Sequence, residues 1–353
     1  MQSNAAIASP EGFAAAIKAH EHYVFGHPGG MRANLKFLRA PGIDLSYRRL
    51  EDIELSGAEL EGANLAGANL SRASLGCSNI AQANLTGTIL RRADLRGARV
   101  EGANFEFADM DGADFRQSTI AVTDRDGRWT VPGNARSPSV SFANCSLKRA
   151  KLNNANLRHA KFDGAILNQA SFVGATLDNA TFDGAVLIGV NIKELRVPAD
   201  RLKNCITDPT PESRAKLPRY LAMLEQTEAF VRSGGKDGTP ASFEGEDIRL
   251  LAQHMKQRLL TGINLRNTVA VHADFTGCEL QAAKFDGADL RGAIFVGADL
   301  RGASFAGANL AHAEFVQANL LPLELNSGTK LPTSFEGAAL THADFRDARG
   351  RPA

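Results

Sequence analysis

The sequence contains few of the residues that build metal sites, disulfide frameworks or mixed aromatic pockets. Its 353 residues include four cysteines, one tryptophan and three tyrosines. The cysteines are far apart and form no CxxC pair, so neither a zinc site nor a disulfide framework is predicted. The N-terminus lacks the basic and apolar segments of a signal peptide, and no apolar run reaches the roughly 18 residues of a membrane span. We therefore expect a cytoplasmic protein without membrane contact.

Net charge is nearly absent as well. Lys and Arg number 40 against 39 Asp and Glu, which gives a formal charge of +1. Such a balance produces no field that would draw the whole chain onto nucleic acid. We expect a protein partner that is recognised locally, and no direct binding of nucleic acid.

Catalytic motifs are missing too. The sequence has no phosphate-binding loop, dinucleotide fingerprint or nucleophile elbow, so we predict neither an enzyme nor a cofactor. Three histidines, His20, His22 and His27, lie close together beside Glu21. On a helix His20 and His22 would diverge rather than share a face, and no metal site is predicted.

Phenylalanine, by contrast, occurs 19 times, and the reason is a repeat of five residues. From Leu45 to Ile120 every fifth residue is apolar, and a small residue usually stands two positions before it, as Ala58 does before Leu60. Two inward positions with one residue between them describe a very short extended segment. The remaining polar and glycine positions must turn the chain.

The number of sides per coil follows from a second period. Between Phe275 and Leu320 the central residues alternate between Phe and Leu. With four sides and twenty residues per coil, Phe would stack on Phe and Leu on Leu, whereas three sides would mix the two volumes in a dense core. This pattern favours four sides.

Runs such as AELEGANLAGANL (58–70) and ADLRGAIFVGADLRGASFAGANL (288–310) resemble pentapeptide-repeat proteins. The resemblance implies a right-handed quadrilateral β-helix. We therefore predict an all-β solenoid with two such β-helices in tandem, a helical N-terminal cap and a partly helical segment between the solenoids.

The breaks in the repeat suggest the domain bounds. We predict an N-terminal helix and cap (1–43), a first β-helix (44–192) with an insertion (121–141), a helical linker and second cap (193–262), a second β-helix (263–347) with a loop (321–332), and a tail (348–353). Residues 17–35 and 224–243 share a Glu, a Val and a double glycine, and each copy stands just before a repeat run. A solenoid end needs such a cap.

Two segments of the linker have helical spacing. Apolar residues, Pro218 and the pair Gly234-Gly235 predict a helix over about 218–232. The stretch 248–260 also has apolar residues at helical spacing. Its counterpart near the N-terminus already follows the five-residue period, but a helix is favoured for 248–260.

The insertion is the predicted partner site. It resembles a β-hairpin with Asp126-Gly127 at its turn, and it carries Arg125, Arg128 and Trp129. An exposed Trp beside Arg is typical of an interface hot spot. The alternative is that Trp129 covers the coil wall as a structural lid.

A second functional hypothesis comes from the resemblance. Members that protect DNA gyrase from inhibitors resemble a DNA duplex in size and negative charge. The acidic residues Glu101, Glu106, Asp109, Asp111 and Asp114 would be the matching patch. Residues 44–120 carry 8 basic and 12 acidic residues, a net −4, whereas 142–192 carry 5 and 3, a net +2. Because mimicry asks for a continuous acidic face, a scaffold that binds a protein is the preferred hypothesis. Such members typically dimerise through a C-terminal element, whereas RDARGRPA (346–353) shows no obvious helical dimerisation segment, which leaves the oligomeric state open.

Overall fold

The computed structural model describes residues 10–116, 122–123, 129–130 and 139–352. The chain divides into two compact units, Met1–Asp208 and Pro209–Ala353. Each unit has its own apolar core.

In the first unit, helix α1, Pro10–Val24, is followed by a solenoid. Each regular coil of this solenoid contains twenty residues. Each coil side makes one parallel β-bridge to the next coil, as Asp44 does to Asn64. The apolar residue that follows each bridge points inward; Leu60 and Leu65, for example, are fully buried. Bridges run from Asn34 to Ile206, beyond both ends of the predicted range 44–192.

Tight corners separate the coil sides. Ala63 N–H donates to the carbonyl of Leu60 at 3.0 Å across one such corner. The residue between them that lies at positive φ is Gly62, at 67°, a backbone conformation that suits glycine. Where another residue occupies this position, as Tyr47 does at φ 58°, its side chain is carried outward.

The predicted insertion interrupts the solenoid of the first unit. Asp114 bridges Lys151, so the coil resumes after the extra residues. Strands β1, Val122–Thr123, and β2, Trp129–Thr130, pair antiparallel, which confirms the hairpin arms. The predicted turn at Asp126-Gly127 lies outside the described residues.

Helices end the first unit and open the second. Helix α2, Ile192–Leu195, and a 3₁₀ helix, Ala199–Leu202, follow the last full coils. Helix α3, Pro211–Ala215, and helix α4, Leu217–Arg232, precede the second run. The predicted helix at 218–232 is confirmed.

The favoured helix at 248–260 is wrong for most of its length. A 3₁₀ helix spans only Arg249–His254, and Leu259 already bridges Glu279. Its coil is longer than the regular twenty-residue coils, because Asp247 bridges Val269, twenty-two positions later. The short helix takes up the two extra residues, so the helical spacing reflects a widened coil side.

The solenoid of the second unit runs from Ser242 to Arg349. It also starts before the predicted first residue, 263. Its phenylalanines stack as the alternation predicts: Phe275 and Phe295 are 5.0 Å apart, and Phe295 and Phe315 are 4.8 Å apart. A second column contains Phe285 and Phe305, at 4.7 Å. The two columns meet edge to face at 5.6 Å, a favourable aromatic geometry.

The predicted loop at 321–332 contains a small hairpin. Strand β3, Leu323–Glu324, pairs antiparallel with β4, Lys330–Leu331. A Cβ added at Gly302 would stand 2.8 Å from the Leu323 side chain, so the hairpin folds over this coil corner. The coil continues afterwards, since Ser304 bridges Ser334.

Candidate functional site

Helix α1 packs against the start of the first coil. Ala16 and Ile17 join the same apolar cluster as Leu35, and His20 is fully buried. The backbone N–H of Ala33 donates to His20 Nδ1 at 3.1 Å. The histidine therefore satisfies a backbone donor at the point where the coil begins.

A groove remains open between α1 and the first coil, with a volume of about 810 Å³. Its floor is apolar and is formed by Phe13 and Ile17 of the helix and by Leu38, Ala40 and Ile43 of the coil. We call it the helix–coil groove. Its lining contains no member of the predicted site.

The rim of the helix–coil groove carries five charged residues, namely Lys18, Arg39, Arg48, Glu21 and Asp44. The Glu21 carboxylate lies 3.5 Å from Arg48 Nη1, and Asp44 Oδ1 accepts from the backbone N–H of Ser46 at 2.9 Å. Among the described residues, neither Lys18 nor Arg39 has a carboxylate within ion-pair distance. The groove therefore presents two unpaired positive charges.

Large apolar side chains are exposed near the same end of the unit. Phe37 is 73% exposed and Tyr47 is 80% exposed; the ring of each lies beside a glycine of the next coil, Gly57 and Gly67 respectively. Arg49 stands over the ring of Phe25, with 5.1 Å between its guanidinium carbon and the ring centroid. The other exposed large side chains at this end are Tyr23, Phe25 and Met31.

Sequence reasoning missed this exposed aromatic set. The predicted partner contacts were Arg125, Arg128 and Trp129 of the insertion, not residues of the solenoid walls. A signal was nonetheless available, because Phe37 and Tyr47 occupy the corner position that usually holds glycine or a polar residue. An aromatic residue at that position must point away from the core.

The predicted hairpin site cannot be placed as a whole. Arg125, Asp126 and Arg128 lie outside the described residues, and Trp129 is described only through its backbone, which pairs with Thr123. Its role therefore stays a prediction.

The predicted acidic residues are already engaged within the coil. Asp109 pairs with Arg91 at 2.5 Å, and Asp114 pairs with Arg116 at 2.7 Å. Glu106 Oε1 accepts from Ser141 Oγ at 3.0 Å. Asp109 and Asp114 therefore each have an arginine partner, whereas the partner of Glu106 is an uncharged hydroxyl.

The other two acidic residues differ from each other. Asp111 accepts hydrogen bonds from Ser146 Oγ and from the backbone N–H of Lys148. Glu101 is 5% exposed, and both its carboxylate oxygens lack a hydrogen-bond partner. Burial raises the pKa of the Glu101 carboxyl. Its Oε1 also lies 3.9 Å from Arg99 Nε, so this buried carboxyl is not part of an open acidic face.

The remaining titratable groups have structural positions. Cys145 and Cys278 fill the small inward position and are buried, and burial raises the pKa of the Cys278 thiol to about 11. In the part of the chain that the structure describes, no three His, Cys, Asp or Glu side chains converge as metal ligands. None of its described helices is long and apolar enough to cross a membrane.

Comparison with known proteins identifies the repeat. The family described as "Pentapeptide repeats (8 copies)" matches residues 53–92, 78–117, 139–169, 165–196, 259–297 and 283–320, together more than half of the chain. No match was found among curated protein sequences.

Several solved structures are similar. HetL, a pentapeptide-repeat protein involved in heterocyst differentiation regulation from the cyanobacterium Nostoc sp. strain PCC 7120, is 20% identical over 93% of both chains, with a TM-score of 0.28. QnrB1, a plasmid-mediated fluoroquinolone resistance protein, is 18% identical over 52% of this chain and 97% of its own, with a TM-score of 0.27. Rfr23 from the cyanobacterium Cyanothece 51142 is 21% identical over 42% and 88%, with a TM-score of 0.18. At these identities the likeness concerns the fold alone.

Proposed function

This chain belongs to the pentapeptide-repeat family, and we propose that it is a non-catalytic scaffold that binds a protein partner through the N-terminal end of its first unit. Pentapeptide-repeat proteins are right-handed β-helical solenoids and are generally structural or interaction proteins rather than enzymes. The Leu, Phe and Ala side chains that point into the coils fill the interior. Recognition therefore belongs to the outer surface.

The exposed aromatic set is the observation that carries this proposal. Phe25, Phe37 and Tyr47 are each more than half exposed, which costs free energy because large apolar surfaces are favoured out of water. Aromatic and Arg side chains are the usual anchors of protein interfaces. Arg49 beside Phe25 completes that composition.

The proposal includes the arrangement of the chain. We infer two solenoids in tandem, each preceded by a helix that covers its first coil. The support is that α1 shares the core of the first coil, while α4 buries Tyr220 and Leu224 in the core of the second. A helix at this place shields part of the apolar core from water.

The gyrase-directed alternative is weaker. It needs a continuous acidic face, but Asp109 and Asp114 are held in ion pairs and Glu101 is buried. We therefore retain the scaffold as the proposed function, with the hairpin around Trp129 as a second contact of the same partner.

Affinity capture from the cells that produce the protein tests the proposal. We expect one set of proteins to be retained by the wild type and by Val173→Ser, a control at a residue that is 49% exposed elsewhere in the unit. The pair Phe25→Ser and Tyr47→Ser should weaken retention at least about tenfold, and so should deletion of residues 123–131. Equal retention by the double variant would contradict the assigned surface, and a bait that retains nothing would contradict the scaffold.

A further inference from the structure

We propose that the helix–coil groove binds an extended segment of a protein partner in which apolar residues alternate with Asp or Glu, and that this segment adds to the free edge of the first coil. The inference deepens the proposed function and rests on it. Three features of the groove support it, namely its backbone edge, its floor and its charge.

The backbone edge is the most specific feature. One coil further on, Glu59 is fully paired: its N–H donates to Leu38 O at 2.7 Å and its C=O accepts from Ala40 N–H at 2.9 Å. Arg39 stands in the equivalent place on the first coil. In the described part of the chain its N–H and C=O have no hydrogen-bond partner.

Asp44 repeats this situation on the next coil side. Its equivalent Asn64 donates to Ile43 O at 2.8 Å and accepts from Leu45 N–H at 2.7 Å, whereas the Asp44 N–H and C=O bond to no described residue. Both edge residues line the groove. Open edges of this kind accept an added strand, because its backbone supplies the missing donors and acceptors.

The floor selects the side chains of that strand. Phe13, Leu38 and Ile43 are partly buried and pack against the core of the unit, so they leave apolar surface open to the groove. Successive side chains of a strand point to opposite faces. A segment with an apolar residue at every second position would therefore cover the floor and turn its other side chains outward.

The charge of the rim selects those other side chains. Lys18, Arg39 and Arg48 stand against Glu21 and Asp44, a net charge of +1. The two acidic groups already accept hydrogen bonds, while Lys18 and Arg39 have no acidic partner among the described residues. Asp or Glu in the partner would pair with them, and like charge would disfavour a basic segment.

Selection from a phage-displayed library tests the inference directly. The library would display random peptides of about ten residues, long enough for a strand of usual length. On the wild-type protein we expect enrichment of sequences that alternate apolar and acidic residues. Enrichment of basic or helix-periodic sequences, or no enrichment, would overturn the proposal.

Matched variants locate the binding. Ala14 lines the groove and is exposed, whereas Ala15 is exposed but lies outside the lining. Ala14→Trp should reduce binding of a synthetic peptide from the selection at least about tenfold, and Ala15→Trp should not. Circular dichroism of both variants checks that α1 remains folded. Equal binding by the two variants would contradict the groove.

Hydrogen exchange tests the added strand itself. Peptide binding should slow exchange of the Arg39 and Asp44 amides, because each would acquire an acceptor. The amide of Gly62, an exposed residue whose N–H is already bonded to Ala81 O, should change little. Unchanged exchange at Arg39 and Asp44 would reject strand addition. If Ala14→Trp retains every partner that the Phe25 and Tyr47 variants lose, the scaffold stands and the groove fails.

Discussion

The two leading helices, α1 and α4, solve the same problem with different chemistry. Each places a fully buried polar side chain against the first backbone N–H of its coil: His20 Nδ1 accepts from Ala33 at 3.1 Å, and Thr227 Oγ1 accepts from Ala241 at 2.8 Å. One residue further, Glu21 and Glu228 each reach an Arg of the coil. The positions correspond in the two similar sequence segments.

The two acceptors, His20 and Thr227, differ in whether they take up a proton in the physiological pH range. A threonine hydroxyl does not titrate in the physiological range, so it accepts from Ala241 at any such pH. An imidazole accepts through Nδ1 only while that nitrogen carries no proton. The two units therefore have the same hydrogen bond at their start, but only the first has one that depends on pH.

Truncating the apolar contact of each helix should have the largest effect. Ile17 is 4% exposed and Leu224 is fully buried, so Ile17→Ala and Leu224→Ala should each cost about 2–5 kcal/mol, since a cavity replaces core contacts. The measurement is urea-dependent hydrogen exchange at Leu35 and Phe243, which reports each unit separately. Leu221→Ala, at a half-buried position of α4, is the control. Costs no greater than that of the control would mean that Ile17 and Leu224 contribute no more than a side chain at the edge of the core, as Leu221 is.

Removing the hydroxyl acceptor comes next in size. Thr227→Val keeps the shape but leaves the N–H of Ala241, which is 5% exposed, without its acceptor. An unsatisfied buried donor costs about 1–3 kcal/mol, measured as faster exchange at Ala241 and Phe243. Thr227→Ser retains the hydroxyl and should cost less. A Val variant as stable as the wild type would show that water replaces the acceptor.

Acidification should separate the two helices. Burial lowers the pKa of the His20 imidazole below its usual value of 6.5, and the nearby Glu51, Arg32 and Asp52 modify this effect. The unfolded chain thus takes up the proton first as pH falls. The contribution of neutral His20 is complete above about pH 6.5 and is lost as pH falls towards the lowered pKa.

Amide exchange at pH 7 and pH 5, corrected for intrinsic rates, measures this effect. Protection of Ala33 should fall at pH 5, whereas protection of Ala241 should not. In His20→Thr, which copies the second helix, Ala33 should become as insensitive to pH as Ala241. Equal sensitivity of both amides in the wild type would contradict a role for His20.

The repeat made the solenoid predictable, because the inward-facing positions of the solenoid follow a local period of five residues. The alternation from Phe275 to Leu320 predicted the observed Phe columns. The stretch 248–260 was harder, since a coil side widened by two residues has the same apolar spacing as a helix. There the bridge from Leu259 to Glu279 decides the structure, and such a distant contact leaves no local mark in the sequence.

The candidate site was less predictable than the coil. The groove forms only when α1 folds against residues 38–45, a packing that the sequence pattern does not specify. The exposed Phe37 and Tyr47 could be identified by their corner position, but a count of charges does not tell which acidic and basic residues pair. Asp114 and Arg116 stand two positions apart and form an ion pair, so charges that look free in the sequence neutralise each other.

The smallest expected effect concerns the ion pairs that join each helix to its coil. Glu21 lies 3.5 Å from Arg48 and Glu228 lies 3.5 Å from Arg258, but the Arg48 side chain is 54% exposed and that of Arg258 only 23%. Exposed ion pairs contribute about 0–1 kcal/mol. We expect Glu21→Gln to cost less than Glu228→Gln, because water screens the first pair more.

A change in salt concentration should separate the two ion pairs further. Screening acts over about 10 Å at 0.1 M and about 3 Å at 1 M salt, and it acts more strongly on exposed pairs. The cost of Glu21→Gln should therefore vanish at high salt, while part of the cost of Glu228→Gln remains, because Glu228 also lies 3.7 Å from Arg232. Hydrogen exchange at Leu35 and Phe243 in both salt concentrations is the measurement, with Glu225→Gln, at an exposed position of α4, as control. If high salt removes both costs equally, the difference in exposure does not govern the two ion pairs, and the helices differ only in the buried acceptor that His20 and Thr227 supply.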